Sequence, residues 1–359
     1  MPRHRVLIQR ASYESCTEAI EKVFEIFPLE VRGKKVLVKP NALRKSSPRE
    51  GIVTHPSVVR AVVQKLESLG PSQIVVGDNP GLFSYGDNEE TFKETGLMEA
   101  SRGHYLNIGN QAVEVSFNPA FTQKVTVSRA VIEADIVISL PKFKTHGLTI
   151  ITGAIKNSYG FLPGAQKAKL HLLAGSPQRF HQLIVDVFSL RVPDLIIVDA
   201  VIGMEGNGPA SKDLREIGCI LASDNAVAVD ATISRMMGLE PDILPFLKRA
   251  AEKGLGSYAS DSIEIIGKLR SIENFKLPDL AGAAIARNPE IAHLMKEKSK
   301  MRPQADPALC IGCGTCVEHC PAGALSLVQG LPSVERDSCI VCFCCQEICP
   351  EKAMTLKAI

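Results

Sequence analysis

The stretch Ile136-Val137-Ile138-Ser139-Leu140-Pro141-Lys142-Phe143-Lys144-Thr145-His146 decides the fold of the larger part of the chain. A short β-branched run reads as a strand buried on both faces, the habit of parallel sheets. It then breaks into a proline, two lysines and a histidine. In parallel α/β sheets, ligands bind just beyond the carboxyl ends of the strands. The same pattern recurs on either side. Val36-Leu37-Val38 runs into Lys39-Pro40-Asn41, and Ile74-Val75-Val76 runs into Gly77-Asp78-Asn79-Pro80-Gly81. Ile196-Ile197-Val198 runs into Asp199 and then Gly203-Met204-Glu205-Gly206-Asn207-Gly208-Pro209. Strands are expected at 6–9, 35–39, 74–77, 136–140, 195–199 and 217–222, and helices at 16–27, 56–69, 89–96, 177–190, 226–238 and 241–252. In 56–69, Val58, Val62, Leu66 and Leu69 recur at helical spacing between Pro56 and Gly70. This alternation predicts an α/β domain with a mainly parallel sheet.

A parallel sheet would bring these polar strand ends to one rim. The richest segment, 142–170, interleaves Lys142, Lys144, Lys156, Lys167 and Lys169 with Gly147, Gly153, Gly160 and Gly164. Glycines admit close backbone approach, and lysines offer point charges to phosphate or carboxylate. His146 and His171 suit proton transfer near neutral pH, although each reads equally well as a hydrogen-bonded structural histidine. Lys156 and Asn157 follow the apolar run 149–155, expected to cross the pocket as helix or strand; burying that lysine is costly without an anion. His55 precedes Pro56 and reads as a pocket residue or as a helix cap. Asp230, one turn into a helix, reads as a pocket residue or a structural one. Lys39 alone could be a solvated loop lysine, and the Gly77–Gly81 and Gly203–Pro209 segments could be turn chemistry only.

The C-terminal region is organised differently. Of 11 cysteines, nine lie between Cys310 and Cys349; elsewhere there are only Cys16 and Cys219. CIGCGTCVEHCP at 310–321 recurs 29 residues later as CIVCFCCQEICP at 339–350, so both copies read C-x2-C-x2-C-x3-C-P. Such spacing wraps three thiolates around an iron–sulfur cubane and sends the fourth cysteine to the other cluster. Cys310, Cys313, Cys316 and Cys349 are therefore assigned to a first 4Fe–4S cluster, and Cys339, Cys342, Cys345 and Cys320 to a second. Zinc usually takes paired C-x2-C units with a longer gap. Cys344 is left over and reads as a small buried hydrophobe; His319 replaces no ligand and reads as a surface residue. This region resembles a bacterial-type two-cluster ferredoxin, a small α+β unit. The domains are placed at 1–301 and 302–359, with 253–301 partly linker and its charged run at 296–302 leading into the tail.

Composition narrows the function. The chain has 359 residues, 45% hydrophobic and 22% charged, as expected of a globular protein of two domains. No apolar run approaches the ~18 residues of a membrane span, and the N-terminus lacks a signal-peptide core, so a cytoplasmic setting is expected. The net charge of +2 divides unevenly: from residue 303 onward three lysines and arginines face six acids. With 5% aromatic residues and no tryptophan, nucleic-acid binding has little support. Neither G-x-x-x-x-G-K-[ST] nor a G-x-G-x-x-G after the first strand is present.

The string VLVKPN, the THP helix start, GDNPG, LPKFKTH with GAIKNSYG, and D-x-x-x-G-M-E-G-N-G-P is similar to the domain-of-unknown-function 362 family over roughly residues 6–237. A ferredoxin-like tail is a common companion of that family. The resemblance implies anaerobic or iron–sulfur-rich metabolism in the cytosol. It marks Lys39, Asn41, His55, Asp78, Lys142, Lys144, His146, Lys156, Asn157, Glu205, Asn207 and Gly208 as matching positions.

The expected function is an iron–sulfur oxidoreductase. Electrons from a redox partner protein would pass through two 4Fe–4S clusters to a small anionic substrate or cofactor precursor held by Lys142, Lys144 and Lys156, with His146 as proton donor. A second reading is an electron carrier that docks a partner enzyme; a deep lysine-lined pocket would argue against it. A third is a cofactor or metal-centre maturation protein, with Asp78, Asp199 and Glu205 as hard ligands for a divalent cation. A flavin or a divalent cation is compatible with the sequence, but no motif supports either.

Overall fold

The computed structural model describes residues 4–81, 87–278 and 301–358. The strands of the large sheet are β1 (His4–Arg10), β2 (Lys35–Pro40), β3 (Gln73–Val76), β6 (Ile136–Leu140), β7 (Lys142–His146), β8 (Ile150–Ile151), β9 (Leu195–Met204), β10 (Leu214–Ser223) and β11 (Ile263–Gly267), with β4 (Ala112–Ser116) and β5 (Lys124–Ser128) forming a separate hairpin. The main order is β11-β1-β10-β9-β6-β2-β3. Neighbours pair in parallel except β1 with β10, β10 with β9, and β7 with β8.

The strand period sorts side chains into two cores. Val36 and Val38 of β2, with Ile136 and Ile138 of β6, face one side and pack with α1 (Cys16–Ile26) and α2 (Pro56–Leu69). Leu37 and Val137 face the other side, among α6 (Gly153–Asn157), α8 (Pro177–Phe188), α9 (Ala226–Met236) and α10 (Pro245–Glu252). Between them in sequence lie α3 (Asp87–Glu94), α4 (Leu97–Ala100), α5 (Arg129–Glu133) and α7 (Gly164–Ala174). Helices thus cover both faces of a mainly parallel sheet, as the alternation predicts. From β2 the chain moves outward to β3, then returns to β6 on the other side of β2. The carboxyl ends of β2 and β6 therefore flank a topological switch point.

Several local expectations are corrected. Segment 142–146, read as a polar loop after a strand, is itself β7: Pro141 bends the chain, and the strand resumes beside β9, with Lys142 opposite Asp199. The run 149–155 is neither one helix nor one strand, because two residues of β8 are followed directly by α6. The helix expected at 241–252 divides into a 3-10 turn, Pro241–Ile243, and α10, since Pro245 starts a new helix. Within 253–301, read as partly linker, β11 extends the sheet by pairing with β1. Residues 296–300 of the expected charged run lie outside the described residues.

The tail begins with β12 (Met301–Ala305), paired antiparallel to β15 (Met354–Ala358), and contains the hairpin β13 (Leu325–Val328) and β14 (Leu331–Val334). Short helices α11 (Thr315–Glu318) and α12 (Cys344–Ile348) follow the two cysteine loops. The tail packs against the α/β domain. Phe343, with φ at 65°, seats its ring so close to Gly147 that a Cβ there would meet it at 2.6 Å. Phe343 and Val341 join the main apolar core. Gln346 donates to the Asn207 carbonyl at 3.5 Å, and Lys352 to the Ser211 carbonyl at 3.2 Å. A bulky residue held at positive φ costs free energy and persists only where its surroundings enforce it.

Candidate functional site

At the switch point, strand parity places Lys39 and Ser139 in register and on the face that meets α6. Asn157 lies between them: its Oδ1 accepts from Lys39 Nζ at 3.3 Å, and its Nδ2 donates to Ser139 Oγ at 2.9 Å. Lys39 Nζ is 2.7 Å from Asp78 Oδ1, with both side chains buried. Asp78 Oδ2 also accepts the Ala42 amide at 2.8 Å, which fixes the loop after β2. Helix α6 is anchored by Asp230, whose carboxylate accepts the Ala154 and Ile155 amides at 2.6 and 3.0 Å. Asp230 is therefore a helix-anchoring residue. Burial raises its carboxyl to about 7 against those two hydrogen bonds.

Beside this scaffold is a cavity of about 60 Å³ for water-sized occupants, room for a few waters or one small anion, since a single water needs roughly 10–15 Å³. Lys144, Lys156, Lys167 and His171 line it, with Asn41, Asp78, Thr152, Asn157 and Tyr159 from the α/β domain and Glu347 and Ile348 from α12. Among the described residues Lys144 Nζ donates only to the Ile52 carbonyl, at 2.7 Å, and Lys167 Nζ only to the Asn79 carbonyl. Among the described residues Lys156 has no hydrogen-bond or ion-pair partner, and none of the three lysines is paired to a carboxylate. Burial drives the ammonium of Lys144 well below its usual range, reinforced by Lys156. Lys156 is lowered by burial against the pull of Glu347. Burial brings Lys167 to about 7, opposed by Asp78. Asn41 Oδ1 and Thr152 Oγ1 are buried with no hydrogen-bond partner. Three lysines without a carboxylate partner thus line one cavity, together with the unpartnered Thr152 hydroxyl and the carboxylates of Asp78 and Glu347.

Glu347 closes the cavity from the tail. His146, fully buried behind it, accepts the Leu148 amide through Nδ1 at 3.0 Å, so in the neutral ring Nε2 carries the hydrogen. Nε2 lies 2.9 Å from Glu347 Oε1, close in distance but off the line of a hydrogen bond. Burial, then Lys156, lowers His146 to about 4. Burial pushes Glu347 up, but His146, Lys156 and His171 outweigh it and hold the carboxyl at about 2. At neutral pH the ring is thus neutral and Glu347 is a carboxylate.

Other expected pocket residues lie elsewhere. Lys142 is 2.8 Å from Asp199 Oδ2 and 2.9 Å from Tyr13 OH, in a buried network outside the cavity. His55 caps α2, its Nδ1 accepting the Ser57 amide at 3.2 Å, and stacks on Tyr13 at 3.6 Å. Glu205 pairs with Arg215 at 3.1 Å. Asn207 meets the tail through its carbonyl, and Gly208 packs against Thr145, whose carbonyl oxygen would be 2.2 Å from an added Cβ. Asp78, Asp199 and Glu205 serve three separate ion pairs, and among the described residues no group of three or more His, Cys, Asp or Glu is arranged for a single metal ion. Lys167, named among the glycine-interleaved lysines without a role of its own, lines the cavity one turn before His171 on α7, and Glu347 escaped the sequence reading. Glu347 was visible only as a repeat partner of Glu318, because nothing local links it to a pocket three hundred residues from β2.

In the tail, one cavity is walled by Cys310, Cys313, Cys316 and Cys349 together. The thiols that raise Cys316, after burial, are Cys349, Cys313 and Cys310. Cys345 is raised by burial and then by Cys342 and Cys339, with Cys316 and Cys320 further down. These neighbourhoods fit two cubanes with exchanged fourth ligands. Cys344 is fully buried, its Sγ directed to the Cys342 carbonyl at 3.8 Å.

Known proteins match both parts. A family model described as a domain of unknown function (DUF362) matches residues 36–235, and a 4Fe–4S dicluster domain matches 302–350. A thylakoid-associated protein of Synechocystis sp. is 32% identical over 254 residues, 69% of this chain and 77% of that protein. The lactate racemase apoprotein of Thermoanaerobacterium thermosaccharolyticum aligns with TM-score 0.41 and 11% identity over 67% of this chain; a Thermotoga maritima crystal structure aligns with 0.38 and 14% over 68%. The chain spans only 58% and 59% of those two structures. The tail is a 4Fe–4S-binding domain with an electron-transfer role. Among the described residues no helix is long and apolar enough to cross a membrane.

Proposed function

We propose that this chain, which belongs to the DUF362 family, is an iron–sulfur oxidoreductase whose tail carries two clusters and whose α/β domain reduces a small anionic organic molecule or cofactor precursor. One observation carries the reading. Three lysines without carboxylate partners surround a cavity that is closed by α12, the helix that also supplies the cluster ligand Cys345. Bound clusters supply single electrons; the chain's own residues bind the anion, exclude water and hold protons. Lys144 and Lys156 attract the anionic group. Lys167, poised at about 7, is the better proton donor, in place of His146, which sits behind Glu347 and is neutral at working pH. His146 instead positions Glu347. A redox partner protein and a cytoplasmic setting belong to the same proposal.

The test is anaerobic purification followed by anion titration. About eight iron and eight sulfide per chain are expected for two cubanes. Among small mono- and dicarboxylates and phosphate esters, at least one should raise the melting temperature of the cluster-loaded protein. The same compound should reoxidise dithionite-reduced clusters. If no anion does either, the reading is wrong.

A further inference from the structure

The tail carries four exposed large apolar side chains, and two of them, Ile311 and Leu327, meet on one face beside Pro332. Ile311 is 67% exposed, Val328 56%, Leu327 43% and Leu309 39%. Nine large hydrophobic residues are exposed among the described residues, and these four belong to the short C-terminal domain. Exposed apolar area forgoes about 25 cal/mol per Å² of burial, and a grouped patch marks an interaction site more than scattered residues do. Ile311 and Leu327, with Pro332, wall the cavity of Cys310, Cys313, Cys316 and Cys349, and Cys313 itself is exposed.

We infer that this face is the docking surface of an electron-carrier protein with an apolar centre and a basic rim. The inference rests on the electron-transfer reading of the tail and adds where electrons enter. Apolar contact around a one-electron centre expels water and lets a second centre approach. Charge selects the partner: Asp306, Glu318, Glu335, Asp337 and Glu351 are exposed, against two exposed cations of the tail, Arg336 and Lys357. Lys352, which would weaken that field, turns inward to the Ser211 carbonyl and to Glu50 at 3.4 Å. The second quartet has no such face. Phe343 beside it packs into the core of the α/β domain, Cys344 is fully buried, and Glu347 and Ile348 of the same helix line the cavity. Electrons therefore enter at the first quartet and leave from the second, toward the cavity.

The test uses cluster-loaded protein, reduced with dithionite and freed of excess reductant, and cytochrome c as the probe: a basic protein that accepts one electron per haem. Ile311→Gln and Leu327→Gln should each lower the second-order rate about five-fold, in line with the loss of one well-placed apolar contact. Glu318→Lys should lower it several-fold at low salt and little at high salt, as a screened rim charge does. Oxidation by methyl viologen, which needs no docking surface, should be unchanged in the glutamine variants. Unchanged cytochrome c rates would overturn the inference, and so would an equal fall with methyl viologen. A dimer that Ile311→Gln dissociates would overturn it too, since the patch would then serve a second copy. Anion titration of the Ile311→Gln protein should give the same melting-temperature shift as the parent, so the docking inference and the pocket reading fail separately.

Discussion

Lys142 and Lys144 stand two residues apart on β7, both buried, in opposite electrical circumstances. Lys142 belongs to a closed network in which Asp199 accepts from its ammonium, from the His55 amide at 2.8 Å and from Tyr13. Lys144 has one carbonyl and otherwise faces a cavity shared with Lys156 and Lys167. A register shift in the β7–β9 pairing between the two lysines separates these regions. Near the first, the charge has been neutralised from within the chain, and the result is architecture. Near the second no carboxylate pairs with the lysines, although Asp78 and Glu347 share the cavity wall, and an anion from outside is the proposed counterion. Burial and residue type are the same, so only the presence of a partner distinguishes a structural lysine from a binding lysine.

Removing the partner in the closed network gives the largest expected effect. Asp199→Asn leaves Lys142 buried without a countercharge and should destabilise the protein by about 3–5 kcal/mol, read as a large drop in melting temperature. Replacing both residues with apolar ones of similar volume should recover much of that loss. An Asp199→Asn protein as stable as the parent would break the comparison.

In the open region the expectation reverses. Lys156→Met should leave the melting temperature unchanged or higher, because it removes a half-buried cation that makes no ion pair among the described residues. It should weaken binding of the stabilising anion roughly 10- to 100-fold, or about 1.4–2.8 kcal/mol, the lower range for a truncated buried charge contact. A melting temperature that falls as far as in Asp199→Asn would show that Lys156 has an internal partner after all.

The smallest effect is in pH. Burial lowers Lys167 from 10.5 to about 7. Between those values the unfolded chain holds a proton that the folded chain does not, so stability rises with pH. This contribution is full above about 10.5 and is lost as pH falls toward 7. Urea midpoints of the anion-free protein between pH 7.5 and 9.5 should climb, and Lys167→Met should flatten the climb. Adding the anion should oppose it by favouring the protonated lysine. The same slope in parent and variant would assign it to other groups.

The legible part of the fold was local. Val36-Leu37-Val38 and Ile136-Val137-Ile138 could be read as buried strands from side-chain type alone, and Pro56 and Gly70 bounded α2 through their backbone preferences. Lys142-Phe143-Lys144-Thr145-His146 was not legible as a strand, because alternating cations and apolar residues satisfy a loop as readily as an edge, and the pairing that settles it comes from β9, fifty residues on. For the same reason Lys142 was grouped with the binding lysines: its partner Asp199 is remote in sequence. His55 was visible as a cap as well as a pocket residue, and the Ser57 amide selects the cap.

By itself the sequence determined how many thiols the tail has, their spacing and hence the cluster chemistry, because cubane ligation is set by short intervals along the chain. It also determined the α/β class, because hydrophobic period is a local property. Only the tertiary structure decided which lysines are spent in ion pairs and which are free to bind. It also brought Glu347, from a cysteine loop, to the wall of a cavity built by β2, β7, α6 and α7. A buried charge takes its meaning from its nearest opposite charge, and folding alone chooses that neighbour.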